Sequence, residues 1–408
     1  MYIERTLTQY FLEMSRFFPV LLLTGPRQVG KTTFLTHIAE PEREYVTLDD
    51  VLLCEFARTE PKAFLERYKP PVLIDEVQYA PELLRYIKIR VDEARRSESA
   101  DCAGMYWLTG SQQFHLMKGV TESLAGRIGI VDMLGLSGNE RMSRLSTPFL
   151  PDREFPCQRS DMDTPALFQQ IWQGSFPAVR GCNAQQREAF YGVYLRTYLE
   201  RDVRTLENIT DLQRFLRFIR SAAARTGQLL NYSDLARDAD VSVVTARNWL
   251  SILLATGLFY LLEPYYNNRI SRLVKTAKLY MLDTGLCAYL TQWSDPKVLE
   301  AGAMAGPIFE SWCFAEILKS YYHHGKSRPP LFFYRDRDMQ EIDLLIEEAG
   351  VLYPIEFKKS SAPTVADFRH VKALERVKMP IGMGALVSMY PEVVQRLPNC
   401  RFIPATLI

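Results

Sequence analysis

The chain has 408 residues, of which 47% are hydrophobic and 24% are charged. These proportions are typical of globular proteins, and a chain of this length usually divides into two or three domains. Its 49 basic and 48 acidic residues leave a net charge of +1, which excludes a general basic field of the kind that attracts nucleic acid. Any nucleic-acid binding would therefore need a local basic patch.

Targeting and redox features favour a cytoplasmic protein. The amino terminus, Met1–Thr6, lacks the apolar core of a secretory signal. No apolar run approaches the roughly 20 residues of a membrane span, so no membrane partner is expected. The seven cysteines are scattered without a C-x-x-C pair, which favours reduced thiols over a disulfide framework or a zinc site. We therefore expect a soluble cytoplasmic protein.

The first third of the chain alternates between apolar strands and helices. Short apolar runs predict strands, and apolar residues at helical spacing predict helices. The predicted strands are Val20–Thr24, Glu44–Leu48, Pro71–Ile74, Met105–Thr109 and Ile128–Leu134. The predicted helices are Glu4–Phe17, Lys31–Ala39, Pro61–Tyr68 and Pro81–Arg96. This alternation predicts a parallel α/β sheet with right-handed crossovers.

The sequence changes in character after residue 140. Prolines, serines and charges crowd residues 141–165 and predict a linker or a surface excursion. Helical periodicity then continues to about Thr256, and two strands are predicted at Leu258–Leu262 and Lys278–Leu282. The end of the chain combines a predicted helix, Pro307–Tyr322, with predicted strands at Leu331–Tyr334, Glu341–Glu347 and Val351–Glu356. We therefore predict an α/β domain at 1–140, a linker at 141–165, a helical region at 166–295 and a second α/β domain at 296–408.

Residues 25–32, Gly-Pro-Arg-Gln-Val-Gly-Lys-Thr, match the pattern G-x-x-x-x-G-K-[ST]. The glycines let backbone N–H groups turn inward around phosphate, and the following helix points its amino terminus at the same anion. Lys31 can reach the β- and γ-phosphates, and the Thr32 hydroxyl can bind Mg²⁺. The predicted nucleotide-binding residues are Gly25, Pro26, Arg27, Gln28, Val29, Gly30, Lys31, Thr32 and Thr33.

An acidic pair follows at the end of a later apolar strand, in Val72-Leu-Ile-Asp75-Glu76. Asp75 can hold Mg²⁺ through water, and Glu76 can polarise the attacking water. Apolar strands that end in acids are common, so this pattern indicates a nucleotide site only in combination with the phosphate loop. Together the two motifs predict a site for ATP and Mg²⁺ in which Lys31 and Glu76 are catalytic.

Two further residues are candidates for the same reaction. Ser111 follows the strand that ends at Thr109, where it could orient water beside the γ-phosphate; the alternative is an ordinary helix N-cap. Arg127, at the end of Ser-Leu-Ala-Gly-Arg, could be an arginine finger that acts on a neighbouring subunit; the alternative is a surface charge. The finger hypothesis predicts a homo-oligomer.

Several segments resemble one known family. LTGPRQVGKTT, LIDEVQ and LTGSQ…SLAGR look like the bacterial and archaeal AAA-type ATPases that carry a carboxyl-terminal DUF4143 region. TYLERDV at Thr197–Val203, KLYMLDTGL at Lys278–Leu286 and FESWCFAEI at Phe309–Ile317 resemble later landmarks of that family. The resemblance spans nearly the whole chain. It implies an AAA-type parallel-sheet domain that binds and hydrolyses ATP, a winged-helix middle and a restriction-endonuclease-like α/β end.

The middle of the chain has the spacing of a helix-turn-helix, with predicted helices at Asp211–Arg225, Tyr232–Asp238 and Ser242–Thr256. Asn231 and Ser242 are the predicted N-caps of the last two. If this segment binds DNA, the candidates for the major groove are Thr245, Arg247 and Asn248, and those for phosphate are Arg269, Arg272 and Lys275. The alternative is a lid or a subunit contact, since winged helices often bind proteins.

Acidic residues near the end follow the order of the PD-(D/E)XK nuclease pattern. Glu310 lies on a predicted helix, Asp343 in one strand and Glu356-Phe-Lys358 at the end of another. Carboxylates on adjacent strand ends can share a metal ion, and residues two apart in a strand project to one face. The pattern predicts Mg²⁺ binding by Asp343, Glu356 and Glu310, with Lys358 steering a hydroxide or phosphate. The alternative is a charged strand edge.

Two functions fit these predictions. In the first, ATP turnover moves or gates a DNA-binding or nuclease-like module. In the second, the chain is a nucleotide-dependent switch or scaffold that binds a protein partner, and its nuclease-like tail is catalytically inactive, because a fold does not imply a function. ATP hydrolysis that DNA stimulates would favour the first hypothesis.

Overall fold

The computed structural model describes residues 2–97, 102–110, 124–155, 157–197, 211–266 and 276–408. Contacts divide the chain into two compact units. The first comprises Met1–Leu136, Ala255–Gly257 and Tyr322–Ser327, and the second comprises Ser137–Leu254, Leu258–Tyr321 and Arg328–Ile408. Within the described ranges, no helix is both long enough and apolar enough to cross a bilayer.

A five-stranded parallel sheet forms the centre of the first unit. Its strands are β1 (Val20–Thr24), β2 (Glu44–Thr47), β3 (Val72–Asp75), β4 (Tyr106–Thr109) and β5 (Ile128–Asp132). They lie in the order β2-β3-β4-β1-β5, which confirms the predicted parallel α/β sheet. Strands β1, β3 and β4 are buried along their whole length, which explains their continuous apolar sequences. Because β4 lies between β1 and β3, the carboxyl ends of these three strands meet at one edge.

Five helices of the first unit are described: α1 (Leu7–Ser15), α2 (Lys31–Ile38), α3 (Val51–Thr59), α4 (Pro61–Arg67) and α5 (Leu83–Arg96). A 3₁₀ turn at Val77–Tyr79 follows β3. Helix α3 is absent from the sequence predictions, because Val51 and Leu52 at its start are 77% and 76% exposed and do not mark a buried face. Asp50 caps this helix by accepting hydrogen bonds from the Leu52 and Leu53 N–H groups.

Helices dominate the middle of the chain, as predicted. They are α6 (Gly138–Arg141), α7 (Thr164–Gln173), α8 (Ala184–Thr197), α9 (Leu212–Ala224), α10 (Tyr232–Ala239), α11 (Val243–Ala255), α12 (Thr284–Leu290) and α13 (Pro296–Ala301), with a 3₁₀ turn at Pro177–Val179. A small antiparallel sheet joins them, built from β6 (Gln228–Leu229), β7 (Phe259–Leu262) and β8 (Lys278–Met281) in the order β6-β8-β7. Asn231 caps α10, and the Ser242 hydroxyl accepts from the Thr245 N–H at 3.0 Å, so both predicted caps are present.

A long buried helix and a mixed sheet form the carboxyl-terminal part of the second unit. The helix is α14 (Ala305–Tyr322), and the strands are β9 (Leu331–Arg335), β10 (Glu341–Glu348), β11 (Val351–Lys358), β12 (Gly384–Ser388), β13 (Val394–Leu397) and β14 (Cys400–Pro404). Short 3₁₀ segments lie at Val365–Val377 and Ala405–Leu407. The sheet order is β13-β14-β12-β11-β10-β9. Strands β9, β10 and β11 pair antiparallel, whereas β11, β12 and β14 pair parallel.

The proline-rich segment 141–165, predicted as a linker or a surface excursion, contacts this carboxyl-terminal part. Phe149 and Leu150 are buried, and the Phe149 N–H donates to the Ser320 hydroxyl at 2.9 Å. Arg401 Nη1 donates to the Pro151 carbonyl at 3.2 Å. The prolines therefore shape a segment that packs on its own unit.

Candidate nucleotide site and carboxyl-terminal acid cluster

The loop between β1 and α2 has a backbone that depends on its glycines. Gly25 has a φ of +139°, and a Cβ at this position would lie 2.1 Å from the carbonyl oxygen of Met133. Gly30 has a φ of 94°, which is also in the region that favours glycine. Gln28, exposed in the loop, has a positive φ of 61°. The loop therefore turns tightly from the sheet edge into the amino terminus of α2, as a phosphate-binding loop does.

Lys31 is the first residue of α2, and its side chain folds back into this loop. Its Nζ donates hydrogen bonds to the carbonyl oxygens of Gly25 and Pro26, both at 2.9 Å. Lys31 is buried, so its ammonium lies against the loop backbone rather than in solvent. Because the amino terminus of a helix also carries partial positive charge, the loop is suited to an anion.

Asp75, the last residue of β3, accepts hydrogen bonds from three hydroxyl groups. Thr32 Oγ1 donates to Asp75 Oδ1 at 2.9 Å, and the Tyr45 hydroxyl donates to Oδ2 at 3.1 Å. Thr109, at the end of β4, also donates to Oδ1. Burial, and then the charge of Asp75, raise the pKa of the Tyr45 phenol. Each of these donors is a neutral hydroxyl, and a carboxylate surrounded by oxygen atoms is suited to Mg²⁺.

Glu76 follows Asp75 with its backbone in the left-handed region, at a φ of 58°. This conformation is unfavourable for a residue with a side chain and is found at functional sites. The Glu76 N–H donates to Thr109 Oγ1 at 3.0 Å, and its carboxylate accepts from the Gln78 side-chain amide. Thr109 therefore links the backbone of Glu76 to the carboxylate of Asp75, and Gln78 fixes the direction of the Glu76 carboxylate.

Arg5 ties the phosphate loop to the segment that follows β5. It is 4% exposed, and its guanidinium donates to the carbonyl oxygens of Val29, Leu134 and Gly135 at 3.2, 2.7 and 3.3 Å. A buried arginine bound to three carbonyls holds the loop and the strand end together. No sequence signal marks Arg5, because it lies outside every motif of the site.

Three other residues of the site are not among the sequence predictions: Tyr45, Gln78 and Thr109. Thr109 stands at a strand end beside the two motif strands, and that position could have indicated its role. Gln78 ends the LIDEVQ segment that carries the family resemblance, whereas Tyr45 has no sequence signal. Of the predicted loop residues, Val29 is buried, Arg27 is half-buried and Thr33 is exposed in the first turn of α2.

The carboxyl-terminal sheet brings Asp343 and Glu356 together. Strands β10 and β11 pair with Leu344 opposite Ile355, so the two acids lie side by side. The Glu356 carboxyl hydrogen-bonds Asp343, and Asp343 Oδ2 accepts from the Phe357 N–H at 2.9 Å. Glu356 is 7% exposed, and its Oε1 has no hydrogen-bond partner. One carboxyl group of the pair must carry a proton to make their mutual bond.

Two more acids, Glu310 on α14 and Glu341 on β10, complete what we call the acid cluster (Glu310, Glu341, Asp343 and Glu356). Lys278 of β8 lies among them. Its Nζ is 3.1 Å from Glu310 Oε1, 2.7 Å from Glu341 Oε1 and 3.8 Å from Asp343 Oδ1. Tyr280 donates to Glu310 Oε1 at 2.6 Å. Lys278, Tyr280 and Glu341 are not among the predicted site residues.

The groups of the acid cluster shift one another's pKa values. Burial first, and then the charge of Asp343, raise the pKa of Glu310 to about 7. Burial and Asp343 also hold the pKa of Glu356 well above its usual range. Burial alone would lower the pKa of Lys278, but Tyr280 and the neighbouring carboxylates raise it well above its usual value. The neighbouring groups of the acid cluster therefore stabilise the charged form of the Lys278 ammonium.

Lys358 does not join the acid cluster. Its side chain is 53% exposed at the end of β11, and its Nζ lies 3.3 Å from Asp367 Oδ1. The structure therefore brings together Asp343, Glu356 and Glu310, and directs Lys358 to another carboxylate.

The Mg²⁺ site predicted for Glu310, Asp343 and Glu356 can be compared with these contacts. Across the described part of the chain, no group of three or more His, Cys, Asp or Glu side chains is arranged to hold a metal ion. Mg²⁺ requires oxygen ligands at about 2.0–2.1 Å, whereas the oxygens of Glu310 and Glu341 already contact an ammonium. The residues of the acid cluster do not fit a divalent ion while Lys278 stays among them.

Both sites lie in segments of the chain that match known families. Residues 18–142 match the family described as AAA domain, and residues 305–408 match the domain of unknown function DUF4143. The chain therefore carries an AAA domain and a DUF4143 region. Between the two, residues 164–297 match another domain of unknown function, DUF8612, which the sequence motifs did not indicate. The phosphate loop and Asp75 lie in the AAA domain, and the acid cluster lies in the DUF4143 region.

Two mycobacterial proteins are similar to this chain along most of its length. The uncharacterized proteins Rv2008c of Mycobacterium tuberculosis and Mb2031c of Mycobacterium bovis are each 27% identical over 377 residues, which cover 91% of this chain and 76% of the relative. Among solved structures, the Walker-type ATPase PABY2304 of Pyrococcus abyssi is similar over 70% of this chain and 94% of that chain, at 14% identity and a TM-score of 0.42.

Arg127 precedes β5 in the AAA domain, and Ser111 lies outside the described residues. Arg127 Nε and Nη2 donate to the two carboxylate oxygens of Asp92 at 2.7 and 3.1 Å. This contact lowers the pKa of Asp92. Strand β5 is parallel to β1, with Ile128 opposite Val20. Arg127 therefore lies at the amino edge of the sheet, opposite the edge that carries the phosphate loop.

The DNA-binding candidates of the DUF8612 region are described only in part. Arg247 and Asn248 are exposed on α11, and the Arg247 guanidinium lies 4.4 Å from the ring centre of Tyr232. The Thr245 hydroxyl is 2.9 Å from that of Ser242. The predicted phosphate contacts, Arg269, Arg272 and Lys275, lie outside the described residues, as does most of the TYLERDV landmark.

Proposed function

We propose that the AAA domain binds ATP with Mg²⁺ and hydrolyses it at the sheet edge where β1, β3 and β4 end. The observation that carries this proposal is the hydrogen-bond network of Thr32, Asp75, Thr109 and Glu76. It joins Thr32 of the phosphate loop directly to Asp75, and the Thr109 hydroxyl of β4 joins Asp75 to the backbone N–H of Glu76. Phosphoryl transfer to water depends mainly on such positioning and on electrostatic stabilisation.

The phosphate loop would hold the triphosphate. Gly25 and Gly30 leave room for backbone N–H groups to approach phosphate oxygens, and the amino terminus of α2 adds partial positive charge. The ammonium of Lys31 would exchange its two carbonyl partners for phosphate oxygens. A neutral carbonyl attracts an ammonium less strongly than a charged phosphate oxygen does, which favours the exchange.

Thr32 and Asp75 would hold Mg²⁺, since both present oxygen atoms and already lie 2.9 Å apart. When bound, Mg²⁺ would neutralise the charge that develops on the phosphate oxygens. Thr109 and Tyr45 donate to Asp75 and fix its orientation, as partners of metal-binding carboxylates commonly do.

Glu76 would polarise the attacking water. Its N–H is held by Thr109, and its carboxylate is held by Gln78. A group that must accept a proton at the right moment needs a fixed position more than a strongly shifted pKa. The bond from Gln78 is therefore a positioning contact for the reaction.

We also propose that ATP turnover acts on a DNA-contacting module in the DUF8612 region. The order α9, β6, α10, α11, β7, β8, with its three-stranded antiparallel sheet, supports a winged helix. The exposed Arg247 and Asn248 on α11 supply groups that can meet base edges.

A nucleotide-dependent switch or scaffold that binds a protein partner is the second candidate function. The observation that favours it is the contact of Lys278 with the acid cluster, because a module without a metal ion could bind but not cut. In that case the restriction-endonuclease-like fold predicted for the DUF4143 region would serve recognition alone.

The two candidates are separated by the ATP hydrolysis rate of the full chain without DNA, with single-stranded DNA and with double-stranded DNA. A DNA-contacting module predicts a rate that rises with DNA and falls back at high salt, because phosphate contacts are salt-dependent. A scaffold predicts the same rate in all three conditions. The Lys31→Ala variant, measured in parallel, shows how much of the rate belongs to this chain.

A further inference from the structure

The acid cluster holds a cation that the chain itself supplies. Lys278 on β8 reaches Glu310 on α14 and Glu341 on β10, at 3.1 and 2.7 Å, and lies 3.8 Å from Asp343. Lys278 is 2% exposed, so its ammonium is not a surface group that happens to lie near acids. It is the positive charge around which a strand of the DUF8612 region and two elements of the DUF4143 region pack.

Strand β8 places two donors on the same oxygen atom. Lys278 and Tyr280 are two residues apart, so their side chains project to one face of the strand. The ammonium and the phenol reach Glu310 Oε1 at 3.1 and 2.6 Å. Glu310, a predicted metal ligand, is therefore already occupied by donors from the protein.

Glu356 has an acceptor that this arrangement does not use. Its Oε1 is buried without a hydrogen-bond partner. A buried polar atom of this kind is rare in native proteins and marks a place where another group could bind. The unused oxygen lies beside the carboxylates that Lys278 neutralises.

We propose that Lys278 is the resident cation of a latent divalent-metal site formed by Glu310, Asp343 and Glu356, and that its ammonium keeps Mg²⁺ and similar ions out of the native protein. An ammonium and a metal ion on the same oxygens would lie within a few ångströms of each other and repel strongly in a buried site. A metal ion that took these oxygens would leave the buried Lys278 ammonium without its carboxylate partners, which is unfavourable. The two cations therefore exclude each other.

This inference does not depend on the proposed ATP hydrolysis, because the nucleotide site shares no residue with the acid cluster. It implies that the native DUF4143 region performs no metal-dependent cleavage. It also explains why Lys278 and Tyr280 of the KLYMLDTGL segment contact Glu310 of the FESWCFAEI segment.

Mn²⁺ binding to the full-length, nucleotide-free protein, followed by electron paramagnetic resonance, tests the proposal. Lys278→Met removes the charge and keeps the length of the side chain, whereas Lys278→Arg keeps the charge. We expect Lys278→Met to bind Mn²⁺ at least about tenfold more tightly than the wild type and Lys278→Arg. The gain should disappear in Lys278→Met/Asp343→Asn. Asp75 is present in every protein, so uptake at the nucleotide site cancels.

Two results would overturn the proposal. One is Mn²⁺ uptake by the wild-type protein that Asp343→Asn abolishes. The other is a folded Lys278→Met variant that binds no more Mn²⁺ than the wild type, with folding checked by circular dichroism. If Lys278→Met does not fold, Lys278→Gln replaces it and carries the same expectation, because glutamine keeps hydrogen-bond donors. The comparison of wild type with Asp343→Asn needs neither variant.

Discussion

The AAA domain and the acid cluster each contain a buried lysine, yet the two lysines have different partners. Lys31 bonds to the backbone carbonyls of Gly25 and Pro26, and hydroxyl groups contact Asp75. Lys278 contacts the carboxylates directly. Neutral carbonyls release an ammonium easily, whereas buried carboxylates hold it. Lys31 is therefore suited to bind a ligand, whereas Lys278 serves as a structural counterion.

Substitution of Lys31, the lysine suited to bind a ligand, should have the largest effect on ATP binding and hydrolysis. Lys31→Ala should lower ATP affinity by at least about 10²-fold and reduce hydrolysis to background, because the loop loses its charged phosphate contact. Binding of a fluorescent ATP analogue measures this. Lys62→Ala, at an exposed position on α4, is the matched control and should bind normally. Undiminished affinity in Lys31→Ala would mean that this ammonium does not meet phosphate.

Arg127 tests whether the nucleotide site is completed by a second subunit. Because Arg127 lies at the opposite edge of its own sheet, we expect it to act on a neighbouring chain, and Arg127→Ala should slow hydrolysis by about 10³-fold. Mixing Arg127→Ala with Lys31→Ala should restore part of the rate. Asp92→Ala breaks the ion pair but keeps the arginine, so it should stay active. A fully active monomer at all concentrations would end this hypothesis.

Glu76→Gln separates chemistry from binding at the same site. The amide keeps the shape of the side chain but cannot accept the proton of water, so hydrolysis should slow by about 10²-fold while ATP affinity is kept. Single-turnover hydrolysis and ATP titration measure the two quantities. Glu82→Gln, at an exposed position just before α5, is the control. An equal loss of binding in Glu76→Gln and Lys31→Ala would contradict their separate roles.

Thr109 tests the network that joins the two acids. Thr109→Val keeps the size of the side chain but removes the hydroxyl that contacts both Asp75 and the Glu76 N–H, so kcat should fall by about tenfold. Thr109→Ser keeps the hydroxyl and should recover most of the rate. If valine and serine behave alike, the network does not contribute to the reaction.

The smallest effect concerns stability in the acid cluster. The folded protein raises the pKa of Glu310 from 4.5 to about 7, so the unfolded chain releases this proton first as the pH rises. Stability should therefore fall as the pH rises from about 4.5 to about 7, and Glu310→Gln should reduce this fall by about 1–2 kcal/mol, since neighbouring carboxyls share the shift. Urea unfolding at several pH values measures it. Equal slopes in both proteins would show that Glu310 titrates normally.

Sequence alone placed the residues of the nucleotide motif in one loop, because the motif is contiguous. Gly25 to Thr32 form one loop, and a strand before it and a helix after it are easily recognised from apolar spacing. Asp75 could be assigned to the same site because the carboxyl ends of parallel strands lie at the same edge of a sheet. Thr109 contacts Asp75 through the same geometry, but no motif distinguishes a threonine at a strand end from a structural one.

The acid cluster was harder to predict, because its residues come from distant parts of the chain. Asp343 and Glu356 meet through strand pairing, which a sequence does not specify to the residue. Lys278 lies in a segment that the sequence assigns to another region, so its contact with Glu310 could not be expected. Lys358 follows the strand period, yet its exposed side chain turns to the nearest carboxylate, Asp367.

Arg5 has a consequence for how the AAA domain is prepared in isolation. The family match begins at residue 18, after both Arg5 and helix α1. A fragment that starts there would keep every motif residue but lose the guanidinium that joins the Val29 carbonyl to those of Leu134 and Gly135. Its phosphate loop would keep every residue of the motif but lose a contact that holds it in position. Weak nucleotide binding by such a fragment would therefore reflect the fragment's boundary and not the chemistry of the site.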